Sequence, residues 1–110
     1  MILNELTNGE VSIIEIDGRL DTTNYGQLEK VVLDYIAKGK IKILVDCSKM
    51  DYVSSSGLRI FLMALKKIMG LNGKFVLCGL QESIREIFDI SGFTSIFKIF
   101  PTQEEAISGM

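Results

Sequence analysis

At 110 residues the chain has the length of one domain, and its 47% hydrophobic content suffices for a single core. Twelve basic residues against fourteen acidic leave a formal charge of -2, so bulk charge attracts neither nucleic acid nor an anionic membrane. There is no histidine, which excludes Ser-His-Asp and Cys-His catalysis and any histidine-containing metal site within the chain.

The N-terminal residues show no basic segment followed by a long apolar one, so no signal peptide is read. The longest uninterrupted apolar run, residues 60–65, is far short of the roughly 20 residues that cross a bilayer, and a cytoplasmic location is expected. Residues 2–6 and 11–16 flank an Asn8-Gly9 turn signal and are expected to pair as a hairpin. Next, Leu28, Val31, Val32, Tyr35 and Ile36 fall on one helical face, with Asp21, Thr22 and Thr23 as candidate N-caps and Gly39 as the stop.

Residues 41–47 read as a buried strand, and Leu58, Phe61, Leu62, Leu65, Ile68 and Met69 mark a second helical face. Residues 75–78 supply another short strand. Ile84, Ile87 and Phe88 form a third helical stripe, stopped by Ser91-Gly92 before a strand at 96–100. Pro101 and the capping-box pattern Thr102-Gln103-Glu104-Glu105 predict a last short helix. Strand and helix alternate after the hairpin, which favours parallel pairing through right-handed crossovers. The expected fold is α/β, one domain over residues 1–110, with a mixed sheet whose only antiparallel part is the initial hairpin.

Neither Gly39-Lys40-Ile41 nor Gly73-Lys74-Phe75 has the preceding glycine and following hydroxyl of a P-loop, and no GxGxxG follows a βα strand. Cys47 and Cys78 are too few and too far apart for a disulfide scaffold or a CxxC site, and both lie in apolar runs. Asp17, Asp21, Asp46 and Asp51 fall near expected strand ends, where aspartate commonly bonds turn amides. A serine nucleophile with Lys49 or Lys74 as base has no motif behind it. No catalytic residue, cofactor or metal ligand is assigned.

That leaves Val53-Ser54-Ser55-Ser56-Gly57, between a strand and a helix. One hydroxyl there can accept a backbone N–H as N-cap, worth about 1 kcal/mol. Capping accounts for one serine, not three. A hydroxyl in the first helical turn also sits where the helix dipole is positive, so a phosphate added there is tolerated while changing the surface by about -1.5 to -2 charges. The stretch reads either as a serine-rich cap or as a covalent switch.

Four stretches together resemble the anti-sigma factor antagonists of the STAS domain family: Gly18-Arg19-Leu20-Asp21, the strand ending Val45-Asp46-Cys47-Ser48, the segment Tyr52-Val53-Ser54-Ser55-Ser56-Gly57-Leu58, and IREIFDISGF at residues 84–93. The resemblance covers nearly the whole chain. It implies a bacterial regulator of transcription that works by partner switching: unphosphorylated, it binds an anti-sigma factor serine kinase and frees the sigma factor. A phosphate on the loop serine blocks that complex, and a metal-dependent serine phosphatase restores it. The hydroxyl before the glycine is the family's acceptor, which places the phosphorylation here on Ser56, with Ser55 as second choice. Ser54 stands where the family often has aspartate. The implied partner surface comprises Gly18, Asp21, Thr22, Asn24, Ser54, Ser55, Ser56 and Gly57, with Arg59 and Met63 from the outward face of the second helix. Lys66 and Lys67 share that face and read equally well as solvated charge. Two other readings stand beside it: a scaffold or stress-sensing module of the same family, and a nucleotide- or anion-binding domain without a phospho-switch.

Overall fold

A computed structural model of the chain describes residues 1–110. Along the chain lie β1 (Ile2–Asn8), β2 (Val11–Leu20), α1 (Tyr25–Ala37), β3 (Lys42–Val53), α2 (Ser55–Gly70), β4 (Lys74–Cys78), α3 (Glu82–Ile90), β5 (Lys98–Phe100) and α4 (Gln103–Gly109), with a 3-10 turn at Phe93–Ser95. All five strands form one sheet in chain order. β1 is antiparallel to β2, and the other three pairings are parallel. The expected α/β class and mixed sheet are what the structure has.

The hairpin closes one residue later than the turn signal placed it. Asn8 pairs with Val11, so the two loop residues are Gly9 and Glu10, with Gly9 taking the positive φ of +60° that the tight turn demands.

Both faces of the parallel sheet are covered, which is why β3 begins as an unbroken buried run rather than an alternating one. Ile43, Val45 and Cys47 point into the main core under the first three helices, with Phe61, Phe88 and Leu77. Leu44 lies on the opposite face with Val76 and Cys78, beneath Ala106 of α4. The side-chain amide of Gln103 pins α4 to this second face, donating to Glu15 at 2.6 Å and to Asp46 at 2.7 Å.

Four details depart from the sequence expectation. The N-cap position of α1 is Asn24, not Asp21, Thr22 or Thr23, because the Asp21 carboxylate is taken by the backbone N–H and hydroxyl of Thr23. On α2 the buried line runs through Gly57, Ile60, Phe61, Ala64 and Ile68, while Met69 is 59% exposed. Counting large side chains passes over Gly57 and Ala64, whose smallness is what lets the helix approach the sheet. Met63, expected to fall away from the apolar stripe, is half-buried and packs against the core. Finally, β5 is only three residues, because the 3-10 turn uses the preceding chain and carries Phe97 inward.

Phe97 joins a ring cluster with Phe75, Phe88 and Phe93, centroids 5.7 to 6.3 Å apart. Phe88, fully buried, extends the cluster to Phe61 at 6.3 Å. Truncation to Phe88→Ala should cost about 3 to 5 kcal/mol of unfolding free energy in a denaturant titration.

Candidate functional site

Three backbone and packing contacts fix how the chain leaves β3 and opens α2. The N–H of Ser54 donates to the carbonyl of Leu20 at 2.9 Å, tying the start of the helix to the end of β2. Ser54 then adopts extended backbone angles, and its hydroxyl accepts the N–H of Gly57 at 3.2 Å. Ser54 is therefore the N-cap, and it does for the helix what an aspartate at this place would do without adding a charge. Gly57 presses on the strands beneath: a Cβ there would stand 2.8 Å from Leu20 Cγ and 3.0 Å from Val53 Cγ2.

With Ser54 capping and Gly57 facing inward, Ser55 is left exposed and Ser56 half-buried. Neither hydroxyl is among the hydrogen-bonded side chains, which Ser54 alone of the three serines joins. The structure thus separates the serines into one structural and two unengaged.

The loop after β2 is held by short-range bonds. Asp21 accepts from the N–H of Thr23 at 2.9 Å and from its hydroxyl at 2.6 Å. Those Thr23 bonds, helped by the nearby Arg19 guanidinium, hold the Asp21 carboxyl below the usual aspartate range. Asn24 clamps the base of the loop, accepting from the Asp21 N–H at 2.9 Å and donating to the Arg19 carbonyl at 2.8 Å. Arg19 lies over the ring of Tyr52 at 4.0 Å, a cation–π contact between paired residues of β2 and β3. Gly18, at φ +99° beside a register shift in β2, bends the strand into the loop.

Leu20 is the junction of the two loops. Gly18, Asp21 and Asn24 build the first, while Ser54, Ser55, Ser56 and Gly57 form the second. Thr22 is exposed and enters none of the loop's hydrogen bonds. Sequence reasoning missed Leu20, which joins the loops, and Tyr52, 40% exposed, which braces Arg19. A tyrosine two residues before the serines was the available signal for the latter.

Beyond the first turn, Arg59, Lys66 and Lys67 are exposed around Leu62 and Met63, and together they line a shallow depression of about 300 Å³. The first turn of α2 contains no acidic residue. The two ion pairs of the chain, Arg19–Asp21 and Lys42–Glu10, leave these three cations without a carboxylate partner. The result is a face with apolar centre, cationic rim and a positive helix terminus. None of the five depressions on the molecule is lined by Ser54, Ser55 or Ser56.

Other chemistry is poorly placed. The Lys74 amine donates to the Met110 carbonyl at 2.6 Å, away from the serines. Burial and the neighbouring Asp46 push the Cys78 thiol up to about 12, and burial pushes Cys47 well up.

This arrangement defines an α/β domain whose chemically open feature is a helix start with two unengaged serine hydroxyls. The STAS domain family model matches residues 4–106, and the chain belongs to that family. It is similar to the anti-sigma factor antagonist BtrV of Bordetella bronchiseptica, 37% identical over 91 residues that make up 83% of this chain and 78% of BtrV. Among solved structures it resembles one described as an anti-sigma factor antagonist of Thermotoga maritima, at a TM-score of 0.94 and 25% identity, covering 97% of this chain and 92% of that one. The Bacillus cell fate determinant SpoIIAA, solved in its phosphorylated form, shares the fold at a TM-score of 0.79 and 22% identity, with 97% of each chain covered. Anti-sigma factor antagonists, to which these relatives belong by name, are regulatory and not enzymatic.

Two expectations follow from the geometry. Ser54→Ala should lose about 1 kcal/mol of stability and Gly57→Ala about 1 to 3 kcal/mol through overpacking, whereas Ser55→Ala and Ser56→Ala should each stay within about 0.5 kcal/mol by thermal denaturation. Alkylation by iodoacetamide at mildly alkaline pH should be negligible in the native protein, where both thiols are buried and protonated, and should reach both cysteines once denaturant unfolds it.

Proposed function

We propose that this chain is an anti-sigma factor antagonist whose unphosphorylated form binds an anti-sigma factor serine kinase through the two loops and the outward face of α2, and that phosphorylation of Ser56 breaks the complex. The observation that carries this reading is the division of labour among the serines. Ser54 caps, Gly57 packs, and the Ser56 hydroxyl remains unengaged in the first turn of a helix whose first turn holds no acid. A phosphate there meets the positive end of the helix and is accommodated by the fold.

Family relatives support the role: BtrV is named an anti-sigma factor antagonist, and SpoIIAA carries a phosphoryl group on this same fold. On this reading the chain is a substrate and binding module. The kinase brings ATP and catalysis, and a metal-dependent serine phosphatase removes the phosphate. Gly18, Asp21 and Asn24 act by holding the first loop in shape, while Thr22, Ser55, Ser56, Arg59 and Met63 offer the contact atoms. A contact face suits the surface better than a nucleotide or anion pocket, since no depression opens at the serines. Action in the cytoplasm, where kinase, ATP and sigma factor meet, belongs to the same proposal.

The test combines phosphopeptide mass spectrometry with binding. After incubation with ATP and a lysate of the host, phosphate should be found on Ser56 and should vanish in Ser56→Ala. The captured serine kinase should bind Ser56→Asp at least roughly 30-fold more weakly than wild type, the scale of a charge left unpaired in an interface, while circular dichroism of the variant stays unchanged. Equal affinity of Ser56→Asp and wild type would defeat the switch.

A further inference from the structure

The two edges of the sheet are finished differently. β5 is three residues long, contains Lys98 and is followed at once by Pro101, the devices by which natural sheets prevent an edge from pairing. β1 lacks the short length, the lysine and the proline, and its one charged residue is Glu5. The strand runs seven residues, has no Lys, Arg or Pro, and pairs with β2 without a register shift. Its outer row of N–H and C=O groups has no partner in the sheet or the loops.

Side chains alternate along β1. Leu3 packs on the main core, and Glu5 accepts the Tyr35 hydroxyl at 2.7 Å on that same side. Ile2, Asn4 and Leu6 point to the other side. Ile2 is 60% and Leu6 44% exposed, and Leu6 sits beside its register partner Ile13.

We propose that the outer edge of β1 pairs with the same edge of a second copy, antiparallel across a two-fold axis perpendicular to the sheet. In that arrangement directly opposed residues share a face, so only residues of the same side can pair. The longest overlap sets Glu5 opposite Glu5, which faces two carboxylates directly and is unfavourable. Shifting the overlap so that Asn4 stands opposite Asn4 removes the clash. Ile2 of each copy then faces Leu6 of the other, and each Leu6 lies between its own Ile13 and the incoming Ile2. Leu3 faces Glu5, whose carboxylate is already turned to its own tyrosine. The strand is thus self-complementary in one register, with apolar pairs flanking a central amide pair. That self-match, with the unprotected backbone ladder, points to a second copy rather than to a foreign strand. The inference does not depend on the proposed partner switch.

Light scattering on the full chain from micromolar to millimolar concentration should show the mass rise to twice that of one chain. Leu6→Lys, which sets a cation against Ile2, should hold it at one chain with an unchanged circular dichroism spectrum. Register is read by single cysteines: oxidised Asn4→Cys should cross-link into a dimer and Glu5→Cys should not, while the buried Cys47 and Cys78 give no background. The cysteine pair decides the matter even where Leu6→Lys fails to fold. A wild-type mass of one chain throughout, a dimer that survives in folded Leu6→Lys, or cross-linking through Glu5→Cys instead of Asn4→Cys would each overturn the proposal.

Discussion

The contact on which the site depends is the one between Gly57 and the ends of β2 and β3. Leu20 and Val53 are register partners in the sheet, and together they make the floor on which the first turn of α2 rests. The same Leu20 supplies the carbonyl that receives the Ser54 N–H, so one residue sets both the height and the direction of the helix start. Only a residue without a side chain fits above that floor. Once the helix is seated so closely, the positions of its neighbours follow from helical geometry: the residue at the cap turns back on the backbone, and Ser56, before the glycine, lies half-buried at the flank of the contact.

The first loop is stabilised separately, by bonds that stay within six residues of one another in sequence. Asp21 and Asn24 spend their side chains on the loop backbone, so they are best understood as keeping it in one shape. Arg19 on Tyr52 extends this bracing to β3, beside the strand end that leads into the serines. A partner docking here, as proposed, would meet two short, well-held loops, and little ordering entropy would oppose binding.

Legibility of the sequence was uneven for physical reasons. Apolar periodicity located the first three helices and the capping-box pattern after Pro101 the last, and the turn signal found the hairpin to within a residue. The course of β3 beyond Cys47 was hidden, because Ser48 and Lys49 are exposed and break the apolar run although the backbone continues as strand to Val53. Hydropathy cannot show a strand whose last part is held by register with a bulged neighbour. The cap of α1 was likewise misplaced by composition: four capping-type residues, Asp21 to Asn24, precede Tyr25, and that Asn24 takes the position depends on a loop whose hydrogen bonds the sequence does not display. At the serines the number of hydroxyls signalled something beyond capping, but the sorting of Ser54 from Ser55 and Ser56 required Leu20 and Gly57, contacts distant in sequence.

Magnitudes decide where a charge on Ser56 would act. Within the chain a phosphate at a helix N-terminus gains about 0.3 to 1 kcal/mol from the dipole, and the three unpaired cations of α2 add a favourable field. The fold therefore has no reason to yield. At the proposed interface the same group would have to lose water, and an uncompensated buried charge costs several kcal/mol. The two terms have opposite signs and differ by several-fold. On the proposed reading, modification of this residue would leave the domain standing and act on the complex, so that one hydroxyl would control association.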